Sequence, residues 1–326
     1  MHGQRTSPAD RLREALGWRP VPRPERPVLF VNPRSGGGTA VRLRLAERAH
    51  ELGIEPVVLE PGQDLAALVA DAVDRGADAL GMAGGDGSMA VVAGTASSHG
   101  LPFVCVPAGT RNHFARDLGV LRRDVVGAME AFTTGLERSI DLGEVNGSPF
   151  VDNVILGFYG DAVRQEGYRD ARMRTLVATA RDALGPRAPA SGIAVVDDRG
   201  REHRDPAVVL VSNNPYAVER TVARETRPRL HSGRLGIVVL DRPAPRRTDR
   251  AWVATSLEVA ADDVTHAGRD GEAVTLVPPL RFAIRPLALR VRISARHPGA
   301  SPSAQVASLD PRRRRLTPDA STPGHP

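Results

Sequence analysis

Three times between residues 28 and 112 a short apolar run opens straight into a small, glycine-rich polar loop. Val28–Val31 leads into Asn32-Pro33-Arg34-Ser35-Gly36-Gly37-Gly38. Ala79–Ala83 leads into Gly84-Gly85-Asp86-Gly87-Ser88, and Phe103–Pro107 into Ala108-Gly109-Thr110-Arg111-Asn112. Segments with helical spacing lie between them. Val41, Leu45, Ala49 and Leu52 recur at that spacing, with Gly53 placed as a C-terminal cap. Asp64 can cap Leu65, Leu68, Val69 and Val73, which Gly76 ends, and Asp124–Phe132 follows as another helix. Short apolar strands alternating with helices predict a doubly wound parallel α/β sheet. Loops at the carboxyl ends of such strands lie along one edge, where ligands bind. A tight glycine turn between strand and helix turns N–H groups and the helix N-terminus toward an anion. Three of them predict a polyphosphate cradle. Asp86 would repel a bare phosphate, so a cation or a ribose hydroxyl is expected to share the site.

From about Arg138 the pattern changes. Ile140–Val145, Asn146-Gly147 and Phe150–Leu156 read as a hairpin around a primed turn. A longer helical stretch, Ala162–Leu184, precedes a series of Val-, Ile- and Leu-rich runs: Ile193–Val196, Val208–Ser212, Leu235–Leu240, Trp252–Val259, Ala273–Val277, Leu280–Ile284 and Leu287–Ile293. Turns rich in Gly, Pro and Asp separate them, which predicts a mostly antiparallel β-sandwich. The expected organisation is an α/β nucleotide domain over 27–138, then a β-rich domain over 139–296, with a ligand cleft between them. Residues 1–26, rich in Pro and Arg around a short helical candidate at Ala9–Leu16, are expected to be a disordered tail. So are residues 297–326, which carry Arg312-Arg313-Arg314-Arg315.

The formal charge of +6 is carried by arginine alone, since the chain has no lysine. That excludes a Walker-type phosphate loop, a protein kinase and pyridoxal chemistry, each of which needs a lysine. Any phosphate transfer must rest on backbone amides, a metal and arginine. The single cysteine, Cys105, lies in an apolar strand and reads as a core residue, so no disulfide framework exists and a reducing cytoplasm fits. No run approaches the ~18 apolar residues of a membrane span, and the N-terminus lacks a signal-peptide core. With 4% aromatic residues and no aromatic-basic interleaving, nucleic acid is not the expected partner.

Asn32-Pro-Arg-Ser-Gly36, Gly84-Gly-Asp-Gly-Ser88, Pro107-Ala-Gly-Thr-Arg-Asn-His-Phe-Ala115 and Asp270-Gly271-Glu272, in this order, resemble the diacylglycerol kinase catalytic-domain family. That family includes bacterial lipid kinases and the sphingosine and ceramide kinases. The resemblance spans residues 27 to 296 and implies ATP and Mg2+ in the cleft. Asn32, Pro33, Arg34, Ser35 and Gly36 would lie near the nucleotide. Gly84, Gly85, Asp86, Gly87 and Ser88 would surround its phosphates, with Gly109, Thr110 and Asn112 beside them and Asp86 helping to hold the metal. Glu272, or Asp270 beside it, would take the proton of a lipid hydroxyl attacking the γ-phosphorus. The implied protein is a phosphotransferase of phospholipid metabolism, cytoplasmic, meeting its lipid at the membrane surface. Arg34, Arg111 and Arg116 are the candidates to neutralise phosphate charge, although Arg116 could equally pair with Asp117 or Asp124.

Two departures stand out. His113 occupies a position where many relatives carry an acid. Arg229–Leu235 resembles a stretch that holds a structural magnesium through aspartates in some bacterial members, but here it carries His231 and Ser232, so that site is expected to be lost. Two other functions remain open: a kinase of the NAD kinase type, which shares the Gly-Gly-Asp-Gly turn, and a non-catalytic, nucleotide-binding regulator at the membrane.

Overall fold

The computed structural model describes residues 7–157, 192–217, 226–241 and 250–309. Its parallel core has four strands, in the order β5 (Pro102–Pro107), β4 (Ala79–Gly84), β2 (Pro27–Val31) and β3 (Glu55–Val58). β2, β4 and β5 are buried at every position, as continuous apolar runs require when both sheet faces are covered. Asp64 caps α4 (Leu65–Asp74) by accepting from the amides of Ala66 and Ala67. The helix expected over Val41–Leu52 breaks into α2 (Thr39–Arg42) and α3 (Leu45–Glu51), because Arg44 between them is left-handed at φ 52°. Helix α7 (Val125–Ala128) tightens into a 3-10 turn over Met129–Phe132. Cys105 is buried against Met89, with sulfur atoms 3.3 Å apart.

The second half supplies a separate six-stranded antiparallel sheet, in the order β13 (Arg250–Ala254), β12 (Leu235–Leu240), β11 (Val208–Asn213), β8 (Asn153–Gly157), β15 (Thr265–Arg269) and β16 (Glu272–Leu276). The Asn146-Gly147 turn forms with both residues at positive φ, joining β6 (Gly135–Val145) to β7 (Ser148–Phe150). The run expected to continue to Leu156 is interrupted at Val151-Asp152, and β8 then crosses to the antiparallel sheet. The stretch Ala162–Leu184 lies outside the described residues.

Two strands tie the halves together. The runs Leu280–Ile284 and Leu287–Ile293 form a single strand, β17 (Leu280–Ser294), with an irregularity between Arg285 and Leu289. Its first part pairs with β14 (Ser256–Ala261), whereas its second part runs parallel to β5, with Val291 opposite Phe103. β6 accompanies it along both stretches. Leu289, Val291 and Ile293 therefore join the core of the parallel half, while Leu280, Phe282 and Ile284 join the second core.

The two ends depart from the expected disorder over residues 7–26 and 297–309. Ser7 and Asp10 form a capping box at the start of α1 (Pro8–Ala15), and β1 (Arg19–Pro20) pairs with β6. Trp18 is 4% exposed, donates from Nε1 to the Gly299 carbonyl at 2.6 Å, and has the Arg138 guanidinium 4.5 Å from its ring centre. One indole of this size outweighs the polar composition around it. Arg13 bonds the carbonyls of Ala295 and His297, so the two ends hold each other. A terminal helix, Pro302–Leu309, follows, with Ala300, Ser301 and Ser303 buried.

Candidate functional site

The three glycine loops meet, and glycine is what lets them. A Cβ on Gly109 would stand 2.6 Å from Cα of Gly85 and 3.0 Å from the Gly84 carbonyl oxygen, so the second and third loops touch backbone to backbone. Gly36 lies as tightly against the carbonyl of Ala108, which brings in the first loop. Gly85 is the N-cap of α5 (Asp86–Ser98) and offers no side chain to cover the first amides of that helix. Thr110 and Arg34 are exposed, and Ser35, Gly36, Gly87 and Ser88 are half-buried at this meeting point. Open amides at a helix N-terminus are an anion site by charge alone.

The polar residues expected at the nucleotide do more holding than presenting. Asn112, at φ 53° and 4% exposed, accepts from Gly109 N at 3.0 Å and donates to the carbonyls of Gly109 (2.7 Å) and Pro107 (3.2 Å). Its amide staples the third loop. Asn32 accepts from Arg34 N at 3.0 Å, closing the first loop. Asp86 is 7% exposed and accepts from the amides of His113 (3.0 Å) and Phe114 (3.1 Å), the first residues of α6 (His113–Asp117). Burial, and next the nearby charge of Asp152, push its carboxyl above the ordinary value. Asp86 thus braces the second loop against the third, and a metal would meet only the lone pairs that those amides leave free.

The acids of Asp270-Gly271-Glu272 divide in role. Asp270, at φ 50° in the turn between β15 and β16, is 6% exposed. Its carboxylate accepts from the amides of Val151 (3.1 Å), Asp152 (2.8 Å) and Asn153 (3.2 Å), where the chain crosses from β7 to β8. Burial, then Asp152, raise its carboxyl well above the usual range. With three amides aimed at it, Asp270 braces the turn. Glu272 is exposed, and its side chain lies on Gly87, where any Cβ would overlap its Cγ, Cδ and Oε1. Arg111 reaches the same turn, with Nη1 3.4 Å from where a Cβ on Gly271 would stand. The acid of one half therefore faces the glycine turn of the other.

Sequence reasoning missed the buried cluster behind this cleft. Arg227 has no solvent exposure. Its amide and Nε donate to the two carboxylate oxygens of Asp117 at 2.8 and 2.7 Å, its Nη1 donates to the carbonyl of Val151 at 2.7 Å, and Asp152 lies 3.6 Å from Nη2. Tyr216 donates to Asp152 at 2.6 Å and accepts from Asn153 at 2.9 Å. Burial draws the Arg227 pKa down, but the charges of Asp117 and Asp152 more than offset it. Burial raises Asp117 to about 6 against the pull of Arg227. Arg227 thus grips α6, whose first amides hold Asp86, and also the 151–153 crossing, whose amides hold Asp270. The only sequence signal was the pair Asp152-Asn153 breaking an apolar run. Asp117, considered as a partner for Arg116, is held here by Arg227.

At the altered stretch Arg229–Leu235, Ser232 donates from its amide (2.8 Å) and hydroxyl (2.6 Å) to Asn214, and Gly233 N donates to Asp141 at 2.7 Å. Burial first, then the Arg138 charge, lower the His231 pKa. No cluster of three or more His, Cys, Asp or Glu among the described residues could hold a metal by itself. The donor set fits magnesium that arrives on nucleotide phosphates and takes one or two carboxylates from the protein. Among the described residues no helix is long and apolar enough to cross a membrane.

Residues 26–145 match the family model of the diacylglycerol kinase catalytic domain. A diacylglycerol kinase of Mycobacterium tuberculosis is 34% identical over 140 residues, covering 40% of this chain and 42% of that protein. One from Bacillus subtilis is 40% identical over 84 residues, covering 25% and 28%. A probable lipid kinase, YegS-like, of Pseudomonas aeruginosa is 32% identical over 153 residues, covering 45% and 49%. The chain thus matches less than half the length of these curated relatives. A crystal structure of a diacylglycerol kinase from Bacillus anthracis superposes with a TM-score of 0.61 over 84% of this chain and 98% of that one. Its sequence is 17% identical, so that likeness shows the fold.

Proposed function

We propose, from the match of residues 26–145 to the diacylglycerol kinase catalytic-domain family, that this chain is an ATP-dependent lipid kinase. Its acceptor is a hydroxyl of diacylglycerol or a related long-chain lipid. The observation that carries the proposal is the seat of Glu272 on Gly87, which sets an exposed carboxylate over the phosphate-binding turn. Phosphoryl transfer needs positioning and charge stabilisation more than covalent chemistry. The lipid oxygen forms its bond to the γ-phosphorus while its proton passes to Glu272 and ADP leaves with the electrons of the broken P–O bond. The amides of Gly84–Ser88 and of Gly109-Thr110 cradle the phosphates, with Asn32 and Ser35 on the nucleotide side. In a chain without lysine, Arg34, Arg111 and Arg116 neutralise the oxygens. Magnesium, when bound, draws charge off the phosphate oxygens, and Asp86 is the residue that would help hold it. The protein works in the cytoplasm, on lipid at the membrane surface.

The test is incubation with γ-labelled ATP and a total lipid extract. A magnesium-dependent, labelled phospholipid is the expected product. NADP formed from NAD and ATP would replace the proposal with the soluble-substrate kinase, and nucleotide binding without labelled lipid would replace it with the regulator.

Gly87 offers a finer check. It is the second residue of α5, where alanine favours the helix by up to about 1 kcal/mol. A methyl there must displace the flexible end of Glu272. Gly87→Ala is expected to leave the melting temperature unchanged or slightly raised and to lower kcat by about a hundredfold, the usual effect of misplacing a reacting group by an ångström. Initial rates beside thermal melts measure both.

A further inference from the structure

We propose that the turn Leu121–Asp124 is the edge by which this protein docks on an anionic membrane surface. The purpose of such docking rests on the lipid-kinase reading, whereas its measurement does not. Asp124 N donates to the Leu121 carbonyl at 2.9 Å, closing a β-turn with Arg122 and Arg123 at its corner. Both arginines are exposed, and Leu121 is 48% exposed. The turn is firmly mounted. Gly299 N donates to the Gly119 carbonyl at 3.3 Å, Leu121 N donates to His297 Nδ1 at 3.4 Å, and Asp124 caps α7 by accepting from Gly127 N.

A single exposed leucine is ordinary on a protein surface. This one shares its turn with two guanidinium groups that have no carboxylate partner among the described residues. Several other exposed arginines are committed to carboxylates: Arg75 to Asp71 and Glu55, Arg281 to Glu258, Arg290 to Glu137, Arg296 to Glu130. Arg122 instead donates to the carbonyl of Arg111 at 2.9 Å, and the Arg111 side chain reaches the turn that carries Glu272. Arg111 thus links this turn to the segment that carries the acid facing the glycine turn. Guanidinium groups pair with phosphates and shed water readily, and an apolar side chain between them suits an acyl–headgroup boundary. A single-stranded nucleic acid would need stacking aromatics, which this turn lacks.

The experiment is co-sedimentation of the full chain, without nucleotide, with vesicles of phosphatidylcholine alone or with equimolar phosphatidylglycerol. Wild type is expected to sediment with the anionic vesicles only, and less so as salt is raised. The triple variant Leu121→Ser, Arg122→Gln, Arg123→Gln is expected to partition at least about twentyfold more weakly, at about fivefold per arginine. Its melting temperature and its turnover of a water-soluble short-chain diacylglycerol should be unchanged. A second variant, Arg312–Arg315 to glutamine, removes the basic run near the C-terminus. Vesicle binding by the triple variant equal to wild type overturns the proposal. So does binding abolished by the second variant alone, absence of wild-type binding, or loss of short-chain turnover in the triple variant. Anionic-vesicle binding by a protein with no kinase activity would leave the docking edge standing and remove the kinase reading.

Discussion

Glu272→Gln is expected to lower phosphoryl transfer by about a thousandfold, with nucleotide affinity and melting temperature unchanged. A positioned proton acceptor contributes about 10²–10⁴-fold, and a carboxamide of the same shape cannot take a proton. The structural cost is small, because Glu272 is exposed and makes no hydrogen bond or ion pair among the described residues. Asp270→Asn is the informative contrast. Three amides point at that carboxylate, and an Asn NH₂ must confront at least one of them. Stability should fall by about 1–3 kcal/mol, with activity lost through the displaced turn. Label transfer to lipid, nucleotide titration and thermal melts on the two variants separate the roles. Full turnover in Glu272→Gln would remove it as the base.

Arg227→Met is expected to destabilise the fold by about 3–5 kcal/mol, the cost of leaving a buried partner uncompensated. The variant should also acquire a pH signature that a lost packing contact would not produce. The ordinary carboxyl value for Asp117 is 3.8, and in the fold it already stands at about 6, raised by burial while Arg227 holds it down. Without Arg227 it rises further. A group raised on folding adds stability below its unfolded pKa and loses it as pH climbs through its folded value. Unfolding free energy of the variant should therefore fall as pH rises through 6 and beyond, more steeply than in the wild type. Denaturant titrations across that range read the slope directly, and a flat profile would show Asp117 relieved in another way.

Much of the parallel half was legible because backbone geometry leaves few residue choices. Where loops touch backbone to backbone, as Gly109 does on Gly85 and Gly36 on Ala108, only glycine fits at 109 and 36, and the requirement is written in the chain. The facing acid could be found as part of a motif, but which acid presents its carboxylate could not. That depends on three amides at 151–153, more than a hundred residues earlier. The Arg227 cluster was hidden for the same reason, since its partners at 117 and 152 look like surface charges in their own segments. Trp18 was overlooked because it sits among prolines and arginines, although it is buried against Gly299. The final strand was divided in two because Pro286-Leu287 resembles a turn, whereas the chain absorbs it within one continuous strand by placing Leu287 at φ 51°.

That undivided strand has a consequence for how the molecule can be cut and how it can move. A fragment stopping at residue 138 would strip the neighbour from β5 and leave Phe103 and Val104 on a raw, apolar sheet margin, the kind that recruits stray chains. Nor can the halves swing on a tether as two bodies joined by a linker do. β6 and β17 run side by side through both, so opening and closing of the crevice must come from torsion of this paired ribbon, small in amplitude and shared along its length.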